Sequence, residues 1–124
     1  MSHVDTIACF IELPEMYHSL FAITDLSFNP IYTLETAAYI NSCSISDDGN
    51  YAIFQTAFSP ISPDDSEMIW FINVNEEKVL WKKDWPSDWR SVTSLFIDTH
   101  IRKIFEEHDR DHFHCEYDFN GNKL

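Results

Sequence analysis

Residues 44–54 read Ser44-Ile45-Ser46-Asp47-Asp48-Gly49-Asn50-Tyr51-Ala52-Ile53-Phe54. A short alternating run enters four turn-forming residues and leaves them as an aromatic and β-branched run. Asp, Gly and Asn all tolerate positive φ, so Asp47–Asn50 predicts a hairpin with a strand on each side. Outward from this hairpin the pattern repeats. Strands are predicted over Thr6–Leu13, Tyr17–Thr24, Ile31–Leu34, Tyr39–Ser46, Tyr51–Phe58, Glu67–Val74, Lys78–Lys83, Ser91–Asp98, Arg102–Glu107 and Asp111–Phe119. About 9–10 strands spaced about 10 residues apart predict a mainly β antiparallel meander. The competing helical segments are Pro14–Ala22, Thr33–Ile40 and Ile101–His108, and within the second Glu35-Thr36-Ala37-Ala38 is the candidate for one short helical turn. The chain has 2 glycines, Gly49 and Gly121. Asn and Asp are therefore expected to fill most turns, because they enter the left-handed region at modest cost.

At an offset of about 50 residues the chain compares with itself, within the range of repeat periods that mark stacked units. Phe21–Phe54 lies opposite Phe71–Phe105, with Ile53-Phe54 against Ile104-Phe105, and Phe113–Leu124 forms a third, partial copy. The unit is a strand, an Asx turn and a short strand, then a strand, a polar turn and an aliphatic-aromatic strand. This resembles the four-stranded blades of β-propellers, over residues 17–124, best in Ser44–Phe54. The resemblance implies a single β-rich domain, 1–124, with an internal repeat of 17–66 and 67–124. It amounts to about two and a half blades, and a closed ring typically needs at least four. Either the strands close differently, as a sandwich or a curled sheet, or a partner covers what an open stack exposes.

The chain carries 21 acidic and 8 basic side chains among 124 residues, a formal charge of −13. Hydrophobic residues at 44% exclude a disordered acidic tail. A pI near 4.5 excludes binding to phosphate backbones, which attract Lys and Arg. No apolar run nears the ~20 residues of a membrane span, and Met1-Ser2-His3-Val4-Asp5 lacks the basic region of a signal peptide. A cytoplasmic location is expected. The first basic residue is Lys78: residues 1–77 hold 12 acids and no Lys or Arg. Cys9, Cys43 and Cys115 lack metal-binding or disulfide-framework spacing and are expected to be reduced, mostly buried thiols.

No nucleophile elbow, phosphate loop or metalloprotease motif is present, and no cofactor and no enzymatic activity are expected. The densest polar cluster is residues 108–116. On a strand, His112, His114 and Glu116 share one face, which suits a transition metal, while Phe113, Cys115 and Tyr117 face the core. Asp47 with Asp48, and Asp64 with Asp65, are acid pairs in turns, with Glu67 beside the second. Trp70 and Trp81 are expected in the core. Trp85 and Trp89 flank Pro86 in a loop with Asp88, and aromatics beside acids suit a protein interface. Asp47, Asp48, Asp64, Asp65, Glu67, Trp85, Asp88 and Trp89 are thus the expected contacts with a basic protein partner. By size, acidity and lack of enzyme motifs the chain is similar to small bacterial immunity proteins. That similarity implies occlusion of a cognate toxin domain's active or substrate-binding surface, steered by charge. The alternatives are an acidic nucleic-acid mimic that inhibits a nuclease, and a metal-dependent enzyme using the 108–116 cluster.

Overall fold

A computed structural model of the chain describes residues 5–84, 93–108 and 113–124. These form three antiparallel sheets, each a plain meander in which chain neighbours pair. The first contains β1 (Thr6–Glu12), β2 (Ser19–Asp25) and β3 (Pro30–Thr36). The second contains β4 (Ile40–Ile45), β5 (Tyr51–Thr56), β6 (Met68–Asn73) and β7 (Lys78–Asp84). The third contains β8 (Thr93–Asp98), β9 (Lys103–His108) and β10 (Phe113–Asp118). Ten strands in sheets of three, four and three equal two and a half four-stranded blades. They neither fold over into a sandwich nor curl closed.

The two central strands of the middle sheet, β5 and β6, are apolar on both faces because both faces are covered, which is why Tyr51–Phe54 and Met68–Ile72 read as continuous runs. Ala52, Phe54, Trp70 and Ile72 pack against Phe21 and Ile23 of the first sheet. Ile53, Ile69 and Phe71 pack against Leu95, Ile97, Ile104 and Phe119 of the third. Phe21 of the first sheet stacks on Phe54 of the second at 4.5 Å, Phe119 of the third lies 5.1 Å from Tyr51 and from Phe71, and within the second sheet Phe54 stacks on Trp70 at 5.1 Å and Phe71 on Trp81 at 5.2 Å. Cys115 is buried and Tyr117 packs on the second cluster, so β10 turns these two side chains inward as its alternation predicts.

Strand direction places the sheets relative to one another. The Ile40 amide donates to Ser19 Oγ, where β2 begins, and Cys43 Sγ lies 3.7 Å from the Ala8 carbonyl. Hence β4 runs opposite to β1. The self-comparison sets β2 with β6 and β5 with β9, which are third and second strands of their sheets. On this match β1 holds a second-strand place, and the first sheet has nothing described in the innermost position. In the third sheet Lys123 bridges Tyr117, and the Leu124 amide donates to the Glu116 carbonyl, as the start of a fourth strand.

Two turn expectations change. The Glu35–Ala38 segment is no helix: it ends β3 at Thr36 and bends at Ala37 and Ala38, where the Thr36 hydroxyl donates to the Ala38 carbonyl. The competing helical segments also fold as strands and turns, because each has a partner strand in register to satisfy its backbone. Asp does shape the turns, but not from the positive-φ position. Asp25 and Asp118 begin matching turns. Each carboxylate accepts two backbone amides, from Ser27 and Asn29 and from Asn120 and Asn122, with a side-chain bond from Asn29 or Asn122. Positive φ falls instead on Tyr17, Phe28, Glu67, Glu77 and Arg102 besides the two glycines. An Asp carboxylate at the turn's start satisfies several amides at once and leaves the strained position to its neighbours.

These caps make stability pH-dependent. The Asn29 backbone bond chiefly lowers the Asp25 pKa, and the Asn122 bond does the same for Asp118. At Asp48 burial pushes upward, but bonds from Ser46 and Asn50 outweigh it and the net shift is down. A depressed folded pKa contributes stability above the unfolded value near 3.8, lost as pH falls through the folded value. Urea midpoints are expected to fall below about pH 4, and to fall less steeply in Asp118→Asn. An equal slope in that variant contradicts the linkage.

Gln55 is fully buried on β5, and neither amide atom meets a partner among the described residues. Gln55→Met is expected to stabilise the chain by about 1–2 kcal/mol, since a buried amide without a bond costs about that much. A lower urea midpoint in that variant contradicts this expectation.

Candidate functional site

Consecutive turns of a meander fall at opposite ends of the sheet. The upper end carries the 13–18 turn, the 37–39 connection and the 57–67 loop. The lower end carries the 26–29, 46–50 and 74–77 turns. The 98–102 and 118–122 turns share one end of the third sheet, and Phe119 there packs on Tyr51 at the lower end of β5.

This parity divides the expected contact residues. Asp47 and Asp48 lie at the lower end. Asp48 is occupied in its own turn, accepting from Ser46 Oγ at 2.7 Å and from the Asn50 amide at 2.9 Å. Asp47 is exposed. Asp64, Asp65 and Glu67 lie together at the upper end. β7 also finishes there, with Asp84 paired to Met68. Trp85, Asp88 and Trp89 follow it and lie outside the described residues, as does His112. The acids of residues 1–77 are therefore shared between both ends, and the turns, not one face, carry the negative charge.

The 57–67 loop is tightly held. Its ends meet where the Glu67 amide donates to the Ala57 carbonyl, and the Ala57 amide donates to Tyr39. Its interior closes through Asp65 and Ser66 amides onto the Ser62 carbonyl. Ser59 is buried; its amide donates to Ser66 Oγ at 2.9 Å and its hydroxyl donates to the Ala37 carbonyl at 2.6 Å. Asp65 faces inward: one oxygen accepts the Ala37 amide at 2.8 Å, and the other pairs with Lys82 at 3.3 Å. Lys82 also sits 4.4 Å from the Trp70 ring centroid. Beneath the loop the Thr56 hydroxyl donates to the Asp65 carbonyl and accepts from the Met68 amide and Trp70 Nε1. Compact surface loops with joined ends are frequent functional elements.

What the loop presents is apolar. Phe58 is 64% exposed and Ile61 51%, and Pro60 and Pro63 stand beside them. Phe58, Pro60, Pro63 and Glu67 line a shallow depression of about 390 Å³ with Ser59 and Ser66. Asp64 is exposed at its edge, and Glu12 and Glu15 are exposed on the nearby 13–18 side, where Tyr17 packs on Tyr39 at 5.3 Å. Glu67 holds φ 50, a costly conformation for a side chain other than glycine. Phe58 and Ile61 are not among the contacts expected from sequence. The predicted strand Tyr51–Phe58 runs two residues too far, since β5 ends at Thr56 and leaves Phe58 in the loop; the signal for Ile61 was its place between Pro60 and Pro63, where no strand pattern can bury it.

The 108–116 cluster is only partly described. Glu116 faces outward and pairs with Lys103 at 3.1 Å. Nothing is described of the His108 and His114 side chains, and among the described residues no three potential ligands gather. No helix among the described residues is long and apolar enough to cross a membrane.

No family model matches the chain, and no curated protein matches it in sequence. Solved structures do. The chain is similar to U3-55K, with a TM-score of 0.60 at 11% identity over 98% of this chain and 42% of that one. It is similar to the WD40 repeats of RRP9, with a TM-score of 0.60 at 11% identity over 99% and 41%. It is also similar to the β-propeller domain of Myceliophteria thermophila Cps50 (Swd1), with a TM-score of 0.51 at 10% identity over 96% and 42%. The chain spans about two-fifths of the length of each of these structures. At such identity the likeness is one of fold, and the three sheets are propeller-type blades.

Proposed function

We propose that the chain is a protein-binding module that docks its 57–67 loop into a surface with a basic rim. The observation that carries this is the tightly hydrogen-bonded loop with Phe58 and Ile61 exposed beside Asp64 and Glu67, at the same end of the sheets as the exposed Glu12 and Glu15. An apolar centre inside a charged rim is the usual anatomy of an interface, with aromatic anchors supplying affinity and charge supplying rate and selectivity. The WD40-type neighbours support a scaffold whose turns and loops meet other proteins. The specific form of the proposal is an immunity-type protein, acting in the cytoplasm, that covers the active or substrate-binding surface of a toxin domain. Its acidity and its lack of a recognised catalytic motif favour this form. Trp85, Asp88 and Trp89 follow a strand that ends beside the loop and are proposed to widen the same contact. Asp47 and Asp48 stand at the far end and are proposed to contribute only long-range attraction.

Capture from the native host with the tagged chain tests this. A captured protein of basic surface is expected to be lost in the double variant Phe58→Ser, Ile61→Ser, and retained in Asp47→Asn, Asp48→Asn. Binding is also expected to weaken between about 50 and 500 mM salt, since rim charges are screened within about 10 Å at 0.1 M. Retention in the loop variant overturns the site.

A further inference from the structure

We infer that Ser62 is a phosphorylation site for an ATP-dependent, proline-directed serine/threonine kinase, and that the phosphate releases the 57–67 loop from its partner. The modification stands by itself, and its effect on binding rests on the contact proposed above. Of the chain's prolines, Pro60 and Pro63 alone follow a serine. Both dipeptides lie in this loop and look equivalent in sequence, but the fold separates them. Ser59 is buried, and its amide and hydroxyl are both engaged, with Ser66 Oγ and the Ala37 carbonyl. Ser62 is half-buried, and its hydroxyl has no hydrogen-bond partner among the described residues. Its carbonyl takes up the Asp65 and Ser66 amides, so the turn closes without the side chain.

Three features around Ser62 suit a kinase. The residues on either side, Pro60, Ile61, Pro63 and Asp64, are all exposed. Pro63 drives the residue before it out of the helical region toward an extended backbone, the form in which a substrate segment lies along a kinase cleft. Asp65, the third residue after Ser62, is turned inward onto the Ala37 amide and Lys82, so the proline and not that acid is the determinant on display. In the step, Ser62 Oγ attacks the γ-phosphorus of ATP. The Oγ–P bond forms as the bond to ADP breaks, and the hydroxyl proton leaves to the kinase's base. The product adds about −1.5 to −2 of charge at pH 7. Between Ile61 and Asp64 that charge meets a like charge and has to shed its water when the apolar centre docks. The partner's basic rim pulls the other way, but through solvent that screens it. The unscreened desolvation outweighs the screened attraction, so phosphorylation opens the contact.

Treatment of the folded 124-residue chain with a purified proline-directed kinase, magnesium and ATP tests this, read by intact mass and by peptide fragmentation. One phosphate is expected, on Ser62, with none on Ser59. Ser62→Ala is expected to take up none, while Ser59→Ala, checked for folding by circular dichroism, still takes up one. No uptake by the folded chain overturns the site, and so does a phosphate on Ser59. The second arm compares binding of the captured basic protein to phosphorylated and untreated chains. Phosphorylation is expected to weaken it by about tenfold or more, whereas Ser62→Ala carried through the same treatment binds as the untreated chain does. Equal or tighter binding by the phosphorylated chain overturns the release. Failure of the contact itself shows as no capture by the untreated chain, with the phosphate map unaffected, so the two failures are told apart.

Discussion

Phe54→Ala is expected to lower the free energy of unfolding by about 3–5 kcal/mol, the range for removing a fully buried aromatic ring. Phe54 is wholly buried and lies between Phe21 of the first blade and Trp70 of its own. Its loss opens a cavity at the junction that holds the first blade to the second. Small domains have only about 5–15 kcal/mol in total, so the variant is expected to be near its unfolding midpoint at low urea. The first blade is expected to lose amide-exchange protection before the other two. Urea unfolding followed by tryptophan fluorescence measures the first effect. Phe96→Ala is the control, because Phe96 is half exposed, and it is expected to cost well under about 1 kcal/mol. A loss below about 1 kcal/mol for Phe54→Ala contradicts the packing described.

Thr56→Val is expected to cost about 2–3 kcal/mol, since it leaves buried donors and an acceptor without their partner. The side chain keeps its shape. What goes is the hydroxyl that joins the Asp65 carbonyl, the Met68 amide and Trp70 Nε1. Those groups belong to the loop's base and to β6, so the damage is local to the upper end. Amide exchange is expected to quicken in residues 57–67 while β9 and β10 stay protected. Partner binding is expected to weaken with it, because a loosened loop must be ordered again on contact. Unchanged exchange in the loop contradicts the role given to Thr56.

Much of this architecture is legible in the sequence for a physical reason. Tyr51–Phe54 is apolar at every position, and only a strand covered on both faces tolerates that. The Asp47–Asn50 turn sets the register beside it, and in β10 alternation alone turns Cys115 inward and Glu116 outward. The candidate site is less legible. Asp47 with Asp48 and Asp64 with Asp65 look equivalent as acid pairs, yet they occupy consecutive turns and so opposite ends of one sheet. Counting turns separates them before any coordinates exist. The difference between Asp64 and Asp65 is not available that way, because it depends on the Ala37 amide, 28 residues distant in sequence. Nor do residue preferences reveal that Phe28, Glu77 and Arg102 take the left-handed positions, since local propensity disfavours all three there. The enclosing strand pairs override that preference.

The central claim is that one end of the molecule, through Phe58 and Ile61, makes the protein contact. Cross-linking mass spectrometry on the chain bound to its captured partner tests it most directly. Short carboxylate-to-amine cross-links are predicted from Asp64, Glu67, Glu12 and Glu15 to lysines of the partner, with few from Asp25, Asp47, Glu76 or Glu77. Cross-links concentrated at the lower-end acids, with the upper end still open to modification, would contradict the account.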